Sequence, residues 1–519
     1  MNKVDIDKPE RVSRNTFKVS FWTLISRIFG VLRDITTTYL LGATVAHDIF
    51  VVMLKIPNLF RRLVAEGAFS QAFIPVFSEY KENKTKQELK DLLNSTFSMI
   101  LSATSAICLV FMVFAPIAVL IFAPGFYFDP IKSTLATEIL RIVFPYLFFV
   151  SVVAFFGSVL NTYGFYSVPA ASPIAFNLSI IIFALFLSDF FNFPIYAIAW
   201  GVFFAGCFQL ILNATAIAKI KLFPAIRLDF KNEGLKRILW LMLPAVLSGG
   251  VIQINILVDT IFASLLDTGS PTWLYLSDRL IQLPLGIFGI AVATVILPTL
   301  SKAVNTSDID TYQNKFNWAL KFVFLIGAPS AIGLYFLSIP IISTLFLRGE
   351  FSSLDVLMTS YSLQAFCFGL IAFMAIKILN AAFFSQQNTK TPLYIAIFSL
   401  CTNVFLNWYL AFQLDYGHIG LALGSAIASI ISLLILFFIL LRNSILILER
   451  SWLKFVFQIL VSSIFLATFL TFVSDYFYVW TQLNLITQLG LLGLLMFLGI
   501  FIYFASMIIF GFKVSFFRE

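Results

Sequence analysis

Charge is what this 519-residue chain has least of. Asp, Glu, Lys and Arg make up 12% of it, against 60% apolar residues. A water-soluble protein of that length needs far more polar surface, so the shortage excludes a soluble enzyme or binding module. Histidine is scarcer still. His47 and His418 are the only two, both near predicted helix ends, where neither a metal-ligand cluster nor a credible Ser/His/Asp order forms. The four cysteines (Cys108, Cys207, Cys367, Cys401) lie in separate apolar runs without CxxC spacing, and read as small apolar helix residues. The chain has no glycine-rich phosphate loop, which argues against direct use of ATP. The first sixteen residues are polar and mixed in charge, so no cleavable leader is expected.

What the chain has instead is long apolar runs, with 62 phenylalanines to face lipid and pack between helices. The runs are too long, and alternate too little, for barrel strands. They predict an all-α polytopic membrane protein of about fourteen transmembrane helices: 17–42, 46–79, 92–124, 132–162, 168–190, 194–218, 237–266, 271–302, 315–347, 354–386, 391–414, 417–442, 453–474 and 484–512. The first should kink near Gly30, and the second should be interrupted near Pro57 and Gly67. Basic loop residues such as Lys81, Lys84, Lys219, Lys221, Lys302, Lys390 and Arg450 fall on the side of both termini. The opposite side receives little beyond Lys132 and Arg348. That asymmetry places both termini in the cytoplasm. The net charge of +8 follows from these loops and does not indicate a nucleic-acid partner.

The first twelve helices repeat. AFIPVFSEYK (72–81) returns as VILPTLSKAV (295–304), and PIAVLIFAPGF (116–126) as PIISTLFLRGEF (340–351). Six helices per unit preserve topology, which is the parallel-repeat plan of a transporter. The expected divisions are a cytoplasmic tail 1–16, an N-lobe 17–220, a basic linker 221–236, a C-lobe 237–442 and two accessory C-terminal helices with a short tail, 443–519.

The charges that do enter the apolar runs are concentrated at 22–80. Each would cost about 2.5–3.5 kcal/mol facing lipid at the bilayer centre, so a hydrated, protein-enclosed cavity is expected. Arg27 and Asp34 are seven apart and share a face. Asp48, Lys55 and Arg62 follow a seven-residue spacing, with Glu66 four beyond. We read these acids as satisfying some of the bases, leaving Arg27, Arg33 and Arg61 for an anion. The plain alternative is a set of structural ion pairs. In the second half, Asp278 and Arg279 stand in YLSDRLIQLPLGIFG, where Arg279 would offer a further cation unless it serves only Asp278. Arginine's planar fork suits phosphate, and four arginines suit a diphosphate better than a monoanion. Asp259 with Asn255, Asn403 with Asn407, and Ser425 could hold Na⁺, take a proton, or simply bond helix to helix.

SRIFGVLRD (26–34), HDIFVVMLKIPNLFRRLVAEGAFSQAFIPVFSEYK (47–81) and WLYLSDRLIQLPLGIFGIAVATVILPTLSK (273–302) resemble the MurJ (MviN) lipid II flippase family of the multidrug/oligosaccharidyl-lipid/polysaccharide exporter superfamily. The likeness runs from about residue 17 to the carboxyl terminus. It implies two six-helix lobes around a cationic cavity, with the last two helices shaping a groove for a polyprenyl tail. It implies lipid II as cargo, moved from the inner to the outer leaflet of a bacterial cytoplasmic membrane for cell wall synthesis. The partners expected with it are membrane lipids and other wall-synthesis proteins, and the chain would act as a monomer. The family's arginines fall on Arg27, Arg33, Arg61 and Arg279. Its acidic cavity and gate positions fall on Asp34, Asp48 and Glu66, with Arg62 and Asp278 beside them. A sodium site of some members falls on Asp259, Asn403, Asn407 and Ser425. The coupling is expected to be Na⁺ or the membrane potential, without a catalytic centre. This sequence departs at His47, where threonine is usual, and at Thr272, where serine is common. Other readings are an exporter of a different lipid-linked sugar or of a cationic drug, which would want an acidic cavity, and a wall-synthesis scaffold or enzyme without transport.

Overall fold

The structure is a computed structural model. It describes residues 9–227, 229–443, 445–447, 451–474, 480 and 482–518, apart from the side chains of 9–17, 64–66, 245, 247–249, 252 and 517–518. Among the described residues there is no strand. Eleven helical runs are long and apolar enough to cross a membrane. Three further runs, Pro9–Leu41, 45–83 and Glu233–Ser264, have the length, which makes fourteen among the described residues.

Packing divides the chain into two compact units, Met1–Thr268 and Gly269–Glu519. The first holds α1 (Pro9–Leu41), α2 (Val45–Phe60), α3 (Phe69–Asn83), α4 (Lys86–Val113), α5 (Ala115–Phe122), α6 (Pro124–Tyr127), α7 (Pro130–Val143), α8 (Tyr146–Thr162), α9 (Ser167–Phe186), α10 (Pro194–Lys219) and α11 (Glu233–Ser264). The last of these, α11, packs along α3 and the end of α2, so it travels with the first unit. The second holds α12 (Ser270–Pro284), α13 (Ala291–Asn305), α14 (Ile309–Phe336), α15 (Ser338–Phe346), α16 (Ser353–Ser385), α17 (Lys390–Trp408), α18 (Gly417–Arg442), α19 (Ser451–Ser474) and α20 (Leu485–Ile509).

The starts and breaks follow local chemistry. Thr85 with Glu88, and Ser352 with Asp355, form reciprocal capping boxes at α4 and α16, each satisfying two backbone N–H groups that a helix start leaves over. Pro116, in the first turn of α5, ends the α4 direction at Phe114, since proline cannot donate to the preceding turn. Its repeat partner Pro340 lies in α15, which parts from α14 at Leu337. The single spans 92–124 and 315–347 expected from hydropathy are therefore each two helices. Helix α1 runs without interruption through Gly30.

The repeat shows most clearly in the second helix of each half. Between α2 and α3 the backbone widens into a π-helical stretch, Arg61–Ala68. Between α12 and α13 it does so at Leu285–Ile290. The offset that carries Pro75 onto Pro298 carries 61–68 onto 284–291, so the two wide turns share one register. Gly67 permits the first of them, because a Cβ there would sit 2.8 Å from the Arg62 carbonyl oxygen five residues back. π-Helical departures inside α-helices are rare and are found frequently at functional sites.

The aromatic residues fill the cores. In the first unit Phe111 stacks on Phe144 at 4.3 Å, and Phe69, Phe73 and Phe77 stack in a row down α3 at 5.0–5.1 Å spacings. Both clusters fix α2 and α3 against α7 and α8 and so hold the π-helical turn in place.

Candidate functional site

In the first unit α1 lies against α9, with Asn177 Nδ2 donating to the Ser26 carbonyl at 3.2 Å. This clasp sits beside Arg27. The Arg27 side chain is exposed, and among the described residues it has no hydrogen-bond or ion-pair partner. Six residues on, Arg33 is buried. Its Nη2 meets Asp34 Oδ1 at 2.5 Å and its Nε the same oxygen at 3.1 Å. Its guanidinium stands over the Phe176 ring, 5.8 Å from the centroid. The carboxylate of Asp34 is 1% exposed, and a charge that deep persists only with a close counter-charge. Asp34 therefore serves its chain neighbour, where spacing on α1 had put it on the face of Arg27. Arg33 is held in an ion pair, and Arg27 keeps its charge exposed.

On the second helix Asp48 is buried in the first turn of α2, where the positive end of the helix dipole favours a carboxylate. Beside it, buried His47 donates from Nδ1 to the Gly42 carbonyl at 2.5 Å. Lys55 is half-buried. Arg61 opens the π-helical stretch half-buried, its Nε donating to Asn58 Oδ1 at 3.1 Å. Arg62 is exposed. The side chain of Glu66 lies outside the described residues. Asn255 and Asp259 are half-buried on α11, one turn apart.

The second unit presents its counterpart segment differently. Gly269 caps α12 with φ +96, and a Cβ there would run into the Trp273 ring. Trp273 Nε1 donates to Asp355 Oδ1 at 3.0 Å, and the ring lies 4.8 Å from that of His418. His418 Nε2 donates to the Met358 carbonyl at 3.1 Å. Ser277 Oγ lies 2.8 Å from the Thr359 carbonyl and 2.7 Å from that of Trp273. This buried network nails α12 to α16 and α18 and fixes the helix face carrying Asp278 and Arg279. Asp278 is exposed and accepts from Gln282 Nε2 at 3.3 Å, while Arg279 is half-buried.

The two asparagines of α17 are buried. Ser425 Oγ is 3.5 Å from Asn403 Oδ1. The Asn407 amide fills the space that a Cβ on Gly424 would take. Asp259 belongs to the first unit and these three residues to the second. No group of three or more His, Cys, Asp or Glu side chains with metal-ligand spacing occurs among the described residues. The three residues of the second unit present neutral amide and hydroxyl oxygens only.

A family model described as lipid II flippase MurJ matches residues 37–490. The chain belongs to the MurJ family. It is 39% identical over 428 residues to a probable lipid II flippase MurJ of Haemophilus influenzae, covering 80% of this chain and 83% of that one. It is 35% identical to the probable MurJ of Buchnera aphidicola subsp. Schizaphis graminum, covering 90% and 91%. Among solved structures it is similar to a lipid II flippase MurJ in an inward closed conformation, with a TM-score of 0.77, 28% identity and coverage of 96% and 98%. An inward-facing multidrug transporter of the MATE family follows with a TM-score of 0.65 and 14% identity, covering 82% and 96%. That second likeness concerns the fold alone. His47 and Thr272 are both fully buried.

Sequence reasoning found the charged residues and missed their supports. Phe176 beneath Arg33 carried no signal. The link from Trp273 to Asp355 had one, because Ser352 and Asp355 are spaced as a capping box ahead of an apolar run.

Proposed function

We propose that this chain moves lipid II, the undecaprenyl-diphosphate-linked peptidoglycan precursor, from the inner to the outer leaflet of the bacterial cytoplasmic membrane. One observation beyond family membership supports this most directly. Arg27, in the middle of a membrane helix, has no protein partner among the described residues. An intramembrane guanidinium kept without a carboxylate calls for an anionic ligand, and a diphosphate accepts its paired N–H donors in one plane.

Arg27 gives the diphosphate its principal contact, Arg61 adds a donor within the first unit, and Arg279 is the cation the second unit offers. Arg33 is a positioning residue: paired with Asp34, it fixes the α1 face and adds little net charge. The π-helical turns supply compliance in the second helix of each half, so alternating access proceeds by movement about them. The polyprenyl tail stays in lipid along α19 and α20. Asn403, Asn407 and Ser425 of the second unit are the residues that would offer oxygens to a sodium ion, which would supply a coupling charge. Each elementary charge moved across 100 mV is worth about 2.3 kcal/mol, so the membrane potential can bias the cycle as well. Both termini are cytoplasmic in this reading.

The test is leaflet transfer of labelled lipid II in vesicles, together with growth of flippase-depleted cells. The wild-type chain should support both, and Arg27→Ala neither. A folded Arg27→Ala protein that transfers lipid II at the wild-type rate would overturn the assignment of Arg27. A wild-type protein that transfers none would overturn the substrate.

A further inference from the structure

Helix α16 carries an ammonium that the sequence reading did not use. Lys377 lies within the membrane-crossing run Ser353–Ser385. It is partly buried, and among the described residues it has neither a hydrogen bond nor an ion pair. Three residues on, Asn380 has a buried Oδ1 without a hydrogen-bond partner. Two adjacent polar groups left over at membrane depth are costly unless something binds them.

Helical geometry shows which way Lys377 faces. The outward side of α16 is marked by Tyr361, 39% exposed, and Phe368, 63% exposed. Lys377 is sixteen and nine residues beyond them, which is about 160° and 180° around the helix. It therefore points away from Tyr361 and Phe368, and Phe384, seven residues on and 43% exposed, shows that its own face opens towards the end of the helix. Its neighbour Met374 packs on Gly289 in the π-helical stretch, its Cγ 3.2 Å from where a Cβ of that glycine would be, and on Gly327 of α14.

No acid of the second unit stands at this level among the described residues. Asp355 caps the far end of α16, Asp308 and Asp310 begin α14, and Glu350 and Asp415 lie in the turns before α16 and α18. Asp278 is the remaining one. The contacts of Ser277 with Thr359 and of Gly289 with Met374 show that α12 and α13 run in the same direction as α16. Asp278 and Arg279 are therefore about 20 Å from Lys377 along the helices.

We propose that Lys377 and Asn380 form a second contact point for the diphosphate of the carried lipid, displaced along the membrane from Arg279. The inference rests on the flippase reading above. The ammonium would bind a phosphate oxygen, and the Asn380 amide a hydroxyl or amide of the attached sugar. A cargo that must cross the whole bilayer needs such a cation beyond its first one, or its charge would be stranded midway.

The test compares wild type with Lys377→Met, Lys377→Arg and Asn380→Ala, each checked for folding by thermal shift. Lipid II transfer in vesicles is measured alongside equilibrium binding of undecaprenyl diphosphate and of inorganic diphosphate. Loss of one charge-assisted hydrogen bond predicts transfer slowed about tenfold or more in Lys377→Met. Lys377→Arg should retain most of the rate. Undecaprenyl diphosphate binding should fall in Lys377→Met and hold in Asn380→Ala, whose deficit would appear only with the sugar present. Weakened inorganic diphosphate binding as well would assign the site to the phosphates alone. Wild-type transfer and wild-type diphosphate binding by folded Lys377→Met would overturn the proposal. If Lys377→Met does not fold, Lys377→Gln takes its place. Wild-type protein that binds undecaprenyl diphosphate but transfers no lipid II would contradict the flippase reading while leaving Lys377 to be decided by the binding arm.

Discussion

The second helix of each half is interrupted by the same wide turn in the same register, yet the two turns carry opposite chemistry. Arg61–Ala68 reads RRLVAEGA, with three charges, whereas Leu285–Ile290 reads LGIFGI, with none. In the first unit Arg33 is ion-paired with Asp34 on α1, and Arg61, at the start of the wide turn, donates to the neutral amide of Asn58. In the second unit a network bound mainly through neutral groups holds the start of α12, ahead of its wide turn, with Trp273, Ser277 and His418 bonded to backbone carbonyls and to one capping carboxylate. The repeat thus preserved a backbone device and let the side chains diverge. One copy carries charge in its wide turn, and the other is a mount anchored through Trp273 beside a single arginine, Arg279.

Breaking each side separately should expose the difference. The largest effect is expected in the ionic half. Arg33→Ala takes the guanidinium from a deeply buried carboxylate, and loss of one member of a buried pair costs about 3–5 kcal/mol. Adding Asp34→Asn should restore part of that loss, so the double variant should be more stable than Arg33→Ala alone in thermal unfolding. In the second half, Gly269→Val meets both a positive φ and the Trp273 ring. It should cost about 1–3 kcal/mol from backbone strain alone, read as a lower unfolding midpoint. Trp273→Phe keeps the ring and removes the donor to Asp355, at about 1–3 kcal/mol. Its transport should fall no further than its folded fraction does, since a mount carries no charge to the cargo. The smallest effect belongs to the rim. Arg227 meets Asp91 at 3.4 Å with much of its side chain in solvent, and exposed pairs are worth about 0–1 kcal/mol. Arg227→Ala should be near neutral, because its backbone N–H still donates to Ser98 Oγ at 2.6 Å.

Much of this was legible in the sequence for identifiable reasons. Apolar runs bounded by basic loops gave the fold class, because a bilayer leaves the backbone few choices. The first wide turn falls on the charged RRLVAEGA and its Gly67, where an interruption was expected, whereas the second was invisible because LGIFGI continues the apolar pattern through it. Hydropathy likewise runs straight through Phe114 and Leu337, although Pro116 and Pro340 were already marked as repeat partners. Among the site residues, spacing put Arg27 and Asp34 on one face of a straight helix. It could not anticipate that Arg33 would fold onto its own neighbour, supported by Phe176 from a helix some 140 positions away. Lys377 escaped because it stands alone in a run of apolar residues, whereas the charges at 22–80 advertise themselves by clustering.

The central claim is that the exposed charge of Arg27 holds a diphosphate. Equilibrium binding of lipid II to purified wild-type, Arg27→Lys and Arg27→Ala protein tests it most directly, with undecaprenyl monophosphate as the comparison ligand. The account predicts that Arg27→Ala weakens lipid II binding by at least about tenfold, as expected for a lost charge-assisted contact. It also predicts that Arg27→Lys falls between the two, and that the monophosphate is far less affected. Equal affinity of wild type and folded Arg27→Ala for lipid II would contradict it.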